Sequence, residues 1–66
     1  MKKITGLRRA RVLKGMSQSE LAGKVGVSQP IISLIETGYR KATPDEMARL
    51  AKELQADPKM LFPEGE

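Results

Sequence analysis

Residues 17–38, SQSELAGKVGVSQPIISLIETG, hold two short helical patterns that are separated by only three residues. Each pattern opens with Ser-Gln, and in the first of them Glu20 follows Ser17 at the spacing of a capping box. Gly26 begins the link, where a glycine readily takes the left-handed conformation that ends a helix. A three-residue link that begins with glycine predicts two helices that cross at a sharp angle rather than an antiparallel hairpin.

The remaining parts of the chain are helical in pattern as well. The spacing of apolar residues and of start and stop signals predicts helices over residues 4–14, 17–25, 28–37, 43–54 and 57–62. No segment alternates with the period of two that is typical of a half-buried strand. We therefore expect residues 1–66 to form one all-α domain of five helices, in which the second and third make the sharp crossing.

The composition limits the classes of function that the chain can have. The 66 residues include no Cys and no His, which removes thiolate metal sites, disulfides and the commonest general base. No apolar run approaches the roughly 20 residues that a membrane span needs. We expect a cytoplasmic protein that is not an enzyme, with no cofactor, no metal and no small-molecule ligand.

The charged residues are distributed unevenly along the chain. Residues 1–41 carry nine Lys and Arg against two acids, a net charge of +7, whereas residues 42–66 carry three against six, a net charge of −3. A basic portion beside an acidic one produces an oriented field that steers a protein onto a polyanion. With one Tyr, one Phe and no Trp, the chain is poorly supplied with the stacking side chains that single strands require.

A set of spaced residues in the two central helices is typical of one family. Gln18, Ala22, Gly26, Ile32 and Ile35 follow one another at spacings of 4, 4, 6 and 3, and they resemble the helix-turn-helix of the phage repressor and Cro type, the Xre family. The resemblance extends from about residue 7 to residue 62. It implies a compact, lambda-repressor-like fold of five helices. It also implies a transcriptional regulator, expected to be a repressor, that binds double-stranded DNA with its third helix in the major groove.

The third helix has a face that is suited to base edges. At about 100° per residue, the direction opposite the inward pair of isoleucines falls on Pro30, Leu34 and Thr37, with Ser33 and Gln29 beside them. Gln29 is the best candidate reader, since an amide matches adenine in a bidentate way, and Pro30 and Leu34 suit a thymine methyl. The expected base contacts are Ser28, Gln29, Pro30, Ser33 and Leu34.

Phosphate contacts must come mostly from outside the third helix, because that helix carries no cation. In related repressors the residue that matches Gln18 anchors a phosphate, so the resemblance implies the same role here. The expected phosphate contacts are Ser17, Gln18, Thr37, Arg40, Lys41 and Arg9. The family often pairs an arginine and a glutamate at the positions of Arg11 and Glu36, which implies a structural ion pair between them.

The partner is expected to be double-stranded DNA, bound by a homodimer. A single recognition helix reads too few base pairs for useful specificity, so a palindromic operator and a dimer are expected. Met60, Leu61 and Phe62, near the end of the chain, are the candidate dimer residues; the alternative is that they cap the core of the monomer, which is favoured for Leu61. The alternative is a protein-interaction module, such as an antitoxin subunit, that uses Ile31 and Leu34 as a protein-binding surface.

Overall fold

The computed structural model describes residues 6–62 and contains five helices in that range. They are α1 (Gly6–Leu13), α2 (Gln18–Val25), α3 (Gln29–Thr37), α4 (Pro44–Leu54) and α5 (Pro58–Leu61). The all-α, five-helix prediction is confirmed. The expected first helix, 4–14, is too long at its C-terminal end, because Lys14 and Gly15 form a turn and Gly15 is left-handed at φ 71°. Residues 4 and 5 lie outside the described range, and the extent of the domain, 1–66, stays a prediction.

Capping boxes start two of the helices, and the sequence predicts the first of them, at Ser17 and Glu20. At α2 the Ser17 hydroxyl accepts the Glu20 N–H at 3.0 Å, and the Glu20 carboxylate accepts the Ser17 N–H at 2.8 Å. The same reciprocal arrangement joins Thr43 and Glu46 at the start of α4. Because these side chains satisfy N–H groups that no helical carbonyl can reach, they fix where each helix begins.

A small apolar core holds the helices together. Its largest fully buried side chains come from all five helices and are Leu7, Leu21, Ile32, Leu50, Leu54 and Leu61. In a chain of this length the buried apolar surface is limited, so each of these residues contributes a large share of the stability. Leu61 is 2% exposed, and the expectation that it forms part of a dimer surface is wrong, since its side chain is used inside the monomer.

The corner between α2 and α3 gives α3 its position. Gly26 adopts the left-handed conformation at φ 79°, and both its N–H and the N–H of Val27 are donated to the Ala22 carbonyl oxygen. Ala22 is 3% exposed, and its small side chain allows the two helices to approach closely. Arg49 on α4 donates to the Val25 carbonyl oxygen at 3.2 Å and so fastens the corner to the body. The position of α3 against α2 is therefore set by the left-handed Gly26, by the small side chain of Ala22 and by the hydrogen bond from Arg49.

No helix within residues 6–62 is long and apolar enough to cross a membrane.

Candidate nucleic-acid interface

Helix α3 turns one face outward along its whole length. Pro30 and Thr37 are exposed, Leu34 keeps 40% of its surface accessible, and Ser33 is half-buried. The other side of the helix carries buried isoleucines that lie in the core. The exposed face is the one that the helical period predicts from the sequence.

A buried ion pair joins α1 to the opposite side of α3. Arg11 Nε lies 2.6 Å from Glu36 Oε2, and Arg11 Nη2 lies 3.1 Å from Glu36 Oε1. The two side chains are 11% and 2% exposed. Arg11 also donates to the Met16 carbonyl oxygen at 2.7 Å, so most of the guanidinium is satisfied within the protein. This contact ties the recognition helix candidate to the turn that follows α1.

The ion pair continues into a chain of two amides that ends at the start of α3. Gln18 Nε2 donates to Glu36 Oε1 at 3.0 Å, and Gln29 Nε2 donates to Gln18 Oε1 at 2.6 Å. Because a carboxylate only accepts, the NH₂ group of Gln18 must face Glu36 and its oxygen must face Gln29. The buried charge thereby dictates the orientation of both amides. The repeated Ser-Gln of the sequence places these two glutamines beside each other.

The serines that open the two helices differ in what they do. Ser17 is committed to the capping box of α2, as described above. Ser28 occupies the N-cap position of α3 and is exposed, but its side chain makes no capping hydrogen bond. The hydroxyl of Ser28 is therefore not used to start the helix, and it lies next to Gln29 at the outward end.

Arg40 behaves differently from an exposed phosphate anchor. Its guanidinium makes two hydrogen bonds to Glu46, at 2.9 and 3.2 Å, and the side chains are 33% and 15% exposed. The hydrogen bond from Arg40, together with the N–H of Thr43, lowers the pKa of the Glu46 carboxyl. The same hydrogen bond raises the pKa of Arg40. Arg40 thus fastens the loop after α3 to the start of α4.

The other expected phosphate residues lie on the surface. Lys41 and Arg9 are exposed, as is Thr37, whose hydroxyl donates to carbonyl oxygens of its own helix. Lys41 makes no hydrogen bond or ion pair within residues 6–62. Arg9 lies on α1 and Lys41 lies in the loop after α3, so neither cation belongs to the outward face of α3.

Two features of this surface were not anticipated from the sequence. Tyr39 is 72% exposed and directly follows the left-handed Gly38 that ends α3. Its place in the sequence, between Gly38 and the two cations Arg40 and Lys41, could have indicated that the side chain is exposed. The Arg40–Glu46 pair is the second feature, since the sequence pattern marks Glu46 only as an acidic residue in the first turn of α4.

The expected protein-binding surface on α3 includes only one exposed residue of the two that the sequence suggests. Leu34 is exposed, but Ile31 is half-buried and packs against the core, so the expectation that Ile31 is exposed is wrong. At the other end of the chain Met60 is 71% exposed and Phe62 is half-buried against the core. Of the three candidate dimer residues, only Met60 is therefore largely accessible.

Comparisons with known proteins agree with this geometry. A helix-turn-helix family model matches residues 7–61. An uncharacterized HTH-type transcriptional regulator of Mycobacterium tuberculosis strain CDC 1551 is 34% identical over 56 residues, which are 85% of this chain and 40% of the relative. The chain thus spans well under half the length of that relative.

Solved structures have the same fold. The restriction-modification controller protein C.AhdI from Aeromonas hydrophila has a TM-score of 0.80 and 33% identity, over 86% of each chain. PlcR of Bacillus thuringiensis, solved in complex with the peptide PapR7 and DNA, has a TM-score of 0.76 and 27% identity, over 85% of this chain and 20% of its own. The family match covers nearly all of the sequence, and the chain belongs to the Xre-type helix-turn-helix family of DNA-binding transcriptional regulators.

Proposed function

We propose that the chain binds double-stranded DNA in a sequence-specific way, with α3 in the major groove, and regulates transcription from a palindromic operator as a homodimer. The observation that carries the proposal is the hydrogen-bonded chain from Arg11 through Glu36 and Gln18 to Gln29, which orients an amide at the outward end of α3. Occupation of an operator excludes other proteins from the same DNA, so repression is the simplest outcome.

Gln29 has the free groups that adenine requires. Its amide has two N–H donors and an oxygen acceptor, and one donor is used on Gln18. The other donor and the oxygen remain, and adenine presents an acceptor at N7 and a donor at N6 in the major groove. Since Gln18 is itself oriented by Glu36, the amide of Gln29 is held in one orientation before DNA binds. This preorganisation reduces the entropy that binding must remove.

The backbone of the DNA is proposed to contact the groups that surround α3. The first turn of α2 offers the backbone N–H of Gln18 and the positive end of a helix dipole to one phosphate, since the N–H groups of Ser17 and Glu20 are already used in the capping box. Lys41 and Arg9 supply exposed positive charge. Arg40 contributes to the field, but its direct contact with a phosphate requires that it leave Glu46 or share its donors.

A homodimer is proposed from the dimensions of the chain and its exposed apolar residues. The Cα atoms extend over 27 × 22 × 21 Å. With about 10 Å between the Cα atoms of two copies that lie side by side, the centres of the copies are about 31–37 Å apart, which is comparable with the separation of about 34 Å between half-sites one turn of DNA apart. Met60 is the candidate contact. Substitution of Met60 by Glu is expected to raise the dimer dissociation constant in sedimentation equilibrium, with α-helical content unchanged by circular dichroism.

The proposal is tested by selection from a random pool of duplex DNA. We expect enrichment of one inverted repeat, with half-site centres about 10 base pairs apart, and binding of that duplex at least 10³-fold tighter than of a scrambled duplex, at a stated salt concentration. Recovery of no enriched sequence, together with equal affinity for scrambled DNA, would contradict sequence-specific binding. The scrambled duplex, matched in length and base composition, is the control.

A further inference from the structure

The outward face of α3 presents apolar groups and no charge. The only charged side chain of α3 is Glu36, which is 4% exposed and bonded to Arg11. Leu34 is one of the few large apolar residues within residues 6–62 that remain exposed, and Pro30 precedes it by four residues, which places both on one face. Ser33, beside them, is half-buried, so a base edge that meets the exposed part of this face between Pro30 and Leu34 meets mostly carbon atoms.

The Thr37 hydroxyl, at the end of the same face, already donates its hydrogen within α3. Thr37 Oγ1 donates to the carbonyl oxygens of Ser33 and Leu34, at 3.0 and 3.2 Å. The hydroxyl hydrogen is thus used inside the helix, and Thr37, an exposed residue three positions after Leu34, continues the same face by one turn. Pro30, Leu34 and the methyl of Thr37 are called the apolar strip below.

The C5-methyl is the apolar group by which base edges in the major groove differ from one another. Thymine carries a methyl group at C5, cytosine carries hydrogen there, and 5-methylcytosine carries the same methyl at the same position. We propose, on the basis of the proposed function, that the apolar strip binds the C5-methyl groups of pyrimidines. The chain then distinguishes a methyl-bearing pyrimidine, thymine or 5-methylcytosine, from unmethylated cytosine.

The charge distribution and the size of the effect support this occupant. The exposed cations that attract DNA, Lys41 and Arg9, lie outside α3, so the attraction of the duplex does not depend on a charge on the strip itself. Burial of one methyl group against Leu34 contributes about a fourfold gain in affinity, since a buried methylene is worth about 0.8 kcal/mol. A fourfold change is measured readily in a titration.

The test uses the duplex obtained by selection and two chemical replacements. Each thymine of a half-site is replaced in turn by uracil, which removes only the methyl group. At the position that responds, the T·A pair is also replaced by C·G and by 5-methyl-C·G. For the wild-type chain we expect about a fourfold loss with uracil and a gain of about the same size when the cytosine is methylated. The uracil replacement measures the contribution of the thymine methyl group, and the methylation of cytosine measures the contribution of the same methyl group on cytosine.

Variants assign the effect to the strip. In Leu34→Ala the uracil and methylation effects are expected to disappear, in Leu34→Met they are expected to remain, and in Leu13→Ala, a control on α1 that is 80% exposed, they are expected to match the wild type. Thermal melting verifies that each variant is folded. Uracil replacement with no loss at any thymine, or losses as large in Leu34→Ala as in the wild type, would overturn the inference. Failure of the proposed function differs, since no sequence is then enriched at all.

Discussion

Loss of the carboxylate of Glu36 is expected to destabilise the fold and to loosen base recognition. The side chain is 2% exposed and bonds to Arg11, which is 11% exposed. Glu36→Gln keeps the size but leaves the guanidinium without its counter-charge. Removal of one partner of a buried pair costs about 3–5 kcal/mol. Because Arg11 keeps its bond to the Met16 carbonyl oxygen and some access to water, we expect a loss of about 3 kcal/mol in the free energy of unfolding.

That loss is large for this chain. A domain of 66 residues has a stability of about 3–10 kcal/mol at the usual values per residue. Urea unfolding followed by circular dichroism measures the change, and a double-mutant cycle with Arg11→Met gives the coupling, which we expect at about 2 kcal/mol. Asp45→Asn is the matched control, because Asp45 and Arg49 also form an ion pair, at 3.0 Å, but their side chains are 71% and 52% exposed. The control is expected to cost less than about 1 kcal/mol. A coupling below about 0.5 kcal/mol, or a control as costly as Glu36→Gln, would refute the reasoning.

Three further outcomes are expected. Gly6→Ala should lower the urea midpoint, because its Cβ would clash with the backbone oxygen of Met60 in α5. Gly23→Ala, whose Cβ would meet nothing within 4 Å, should instead raise the free energy of unfolding by about 0.5–1 kcal/mol, and the opposite order would contradict this packing. Lys41→Ala should flatten the plot of log affinity against log salt by about 0.9, whereas Lys59→Ala, an equal change of charge on α5, should not. Glu46 has a lowered pKa in the folded state, so its carboxylate stabilises the fold at a pH above its unfolded pKa of about 4.3, and this contribution is lost as the pH falls through the folded pKa. Glu46→Gln should abolish that part of the pH dependence of the free energy of unfolding, and an unchanged pH profile would contradict the pairing.

The sequence was sufficient to predict the fold because its local signals agree with one another. The capping box at Ser17, the left-handed Gly26 and the proline in the first turn of α3 each mark a boundary that the structure also has. Agreement between local and global preferences is what makes such a short sequence specify one fold. The end of α4 had no such signal, since Gln55 takes the left-handed conformation at φ 53° without being a glycine.

The candidate site was less predictable, because its contacts join side chains that are distant in sequence. The helical period was enough to place Leu34 on the outward face, but the bond between Gln18 and Gln29 depends on how two helices cross. The pairing of Arg40 with Glu46 depends on the path of the loop after α3, and no periodic pattern encodes that path. Leu61 was ambiguous for a similar reason, since an apolar residue near a chain end suits a core or an interface equally well.

The measurement that tests sequence-specific reading by α3 most directly is the affinity of Gln29→Ala for the selected duplex and for each of its single base-pair variants. The wild type is expected to lose about 1–3 kcal/mol when the adenine that Gln29 contacts is replaced, and Gln29→Ala is expected to show no preference at that one position in each half-site. Preferences at the other positions and affinity for scrambled DNA should stay close to the wild-type values, whereas the free energy of unfolding should fall by only about 0.5–1.5 kcal/mol, because the hydrogen bond to Gln18 is lost. An equal loss at every position, or a position profile identical to that of the wild type, would contradict the reading of DNA by Gln29.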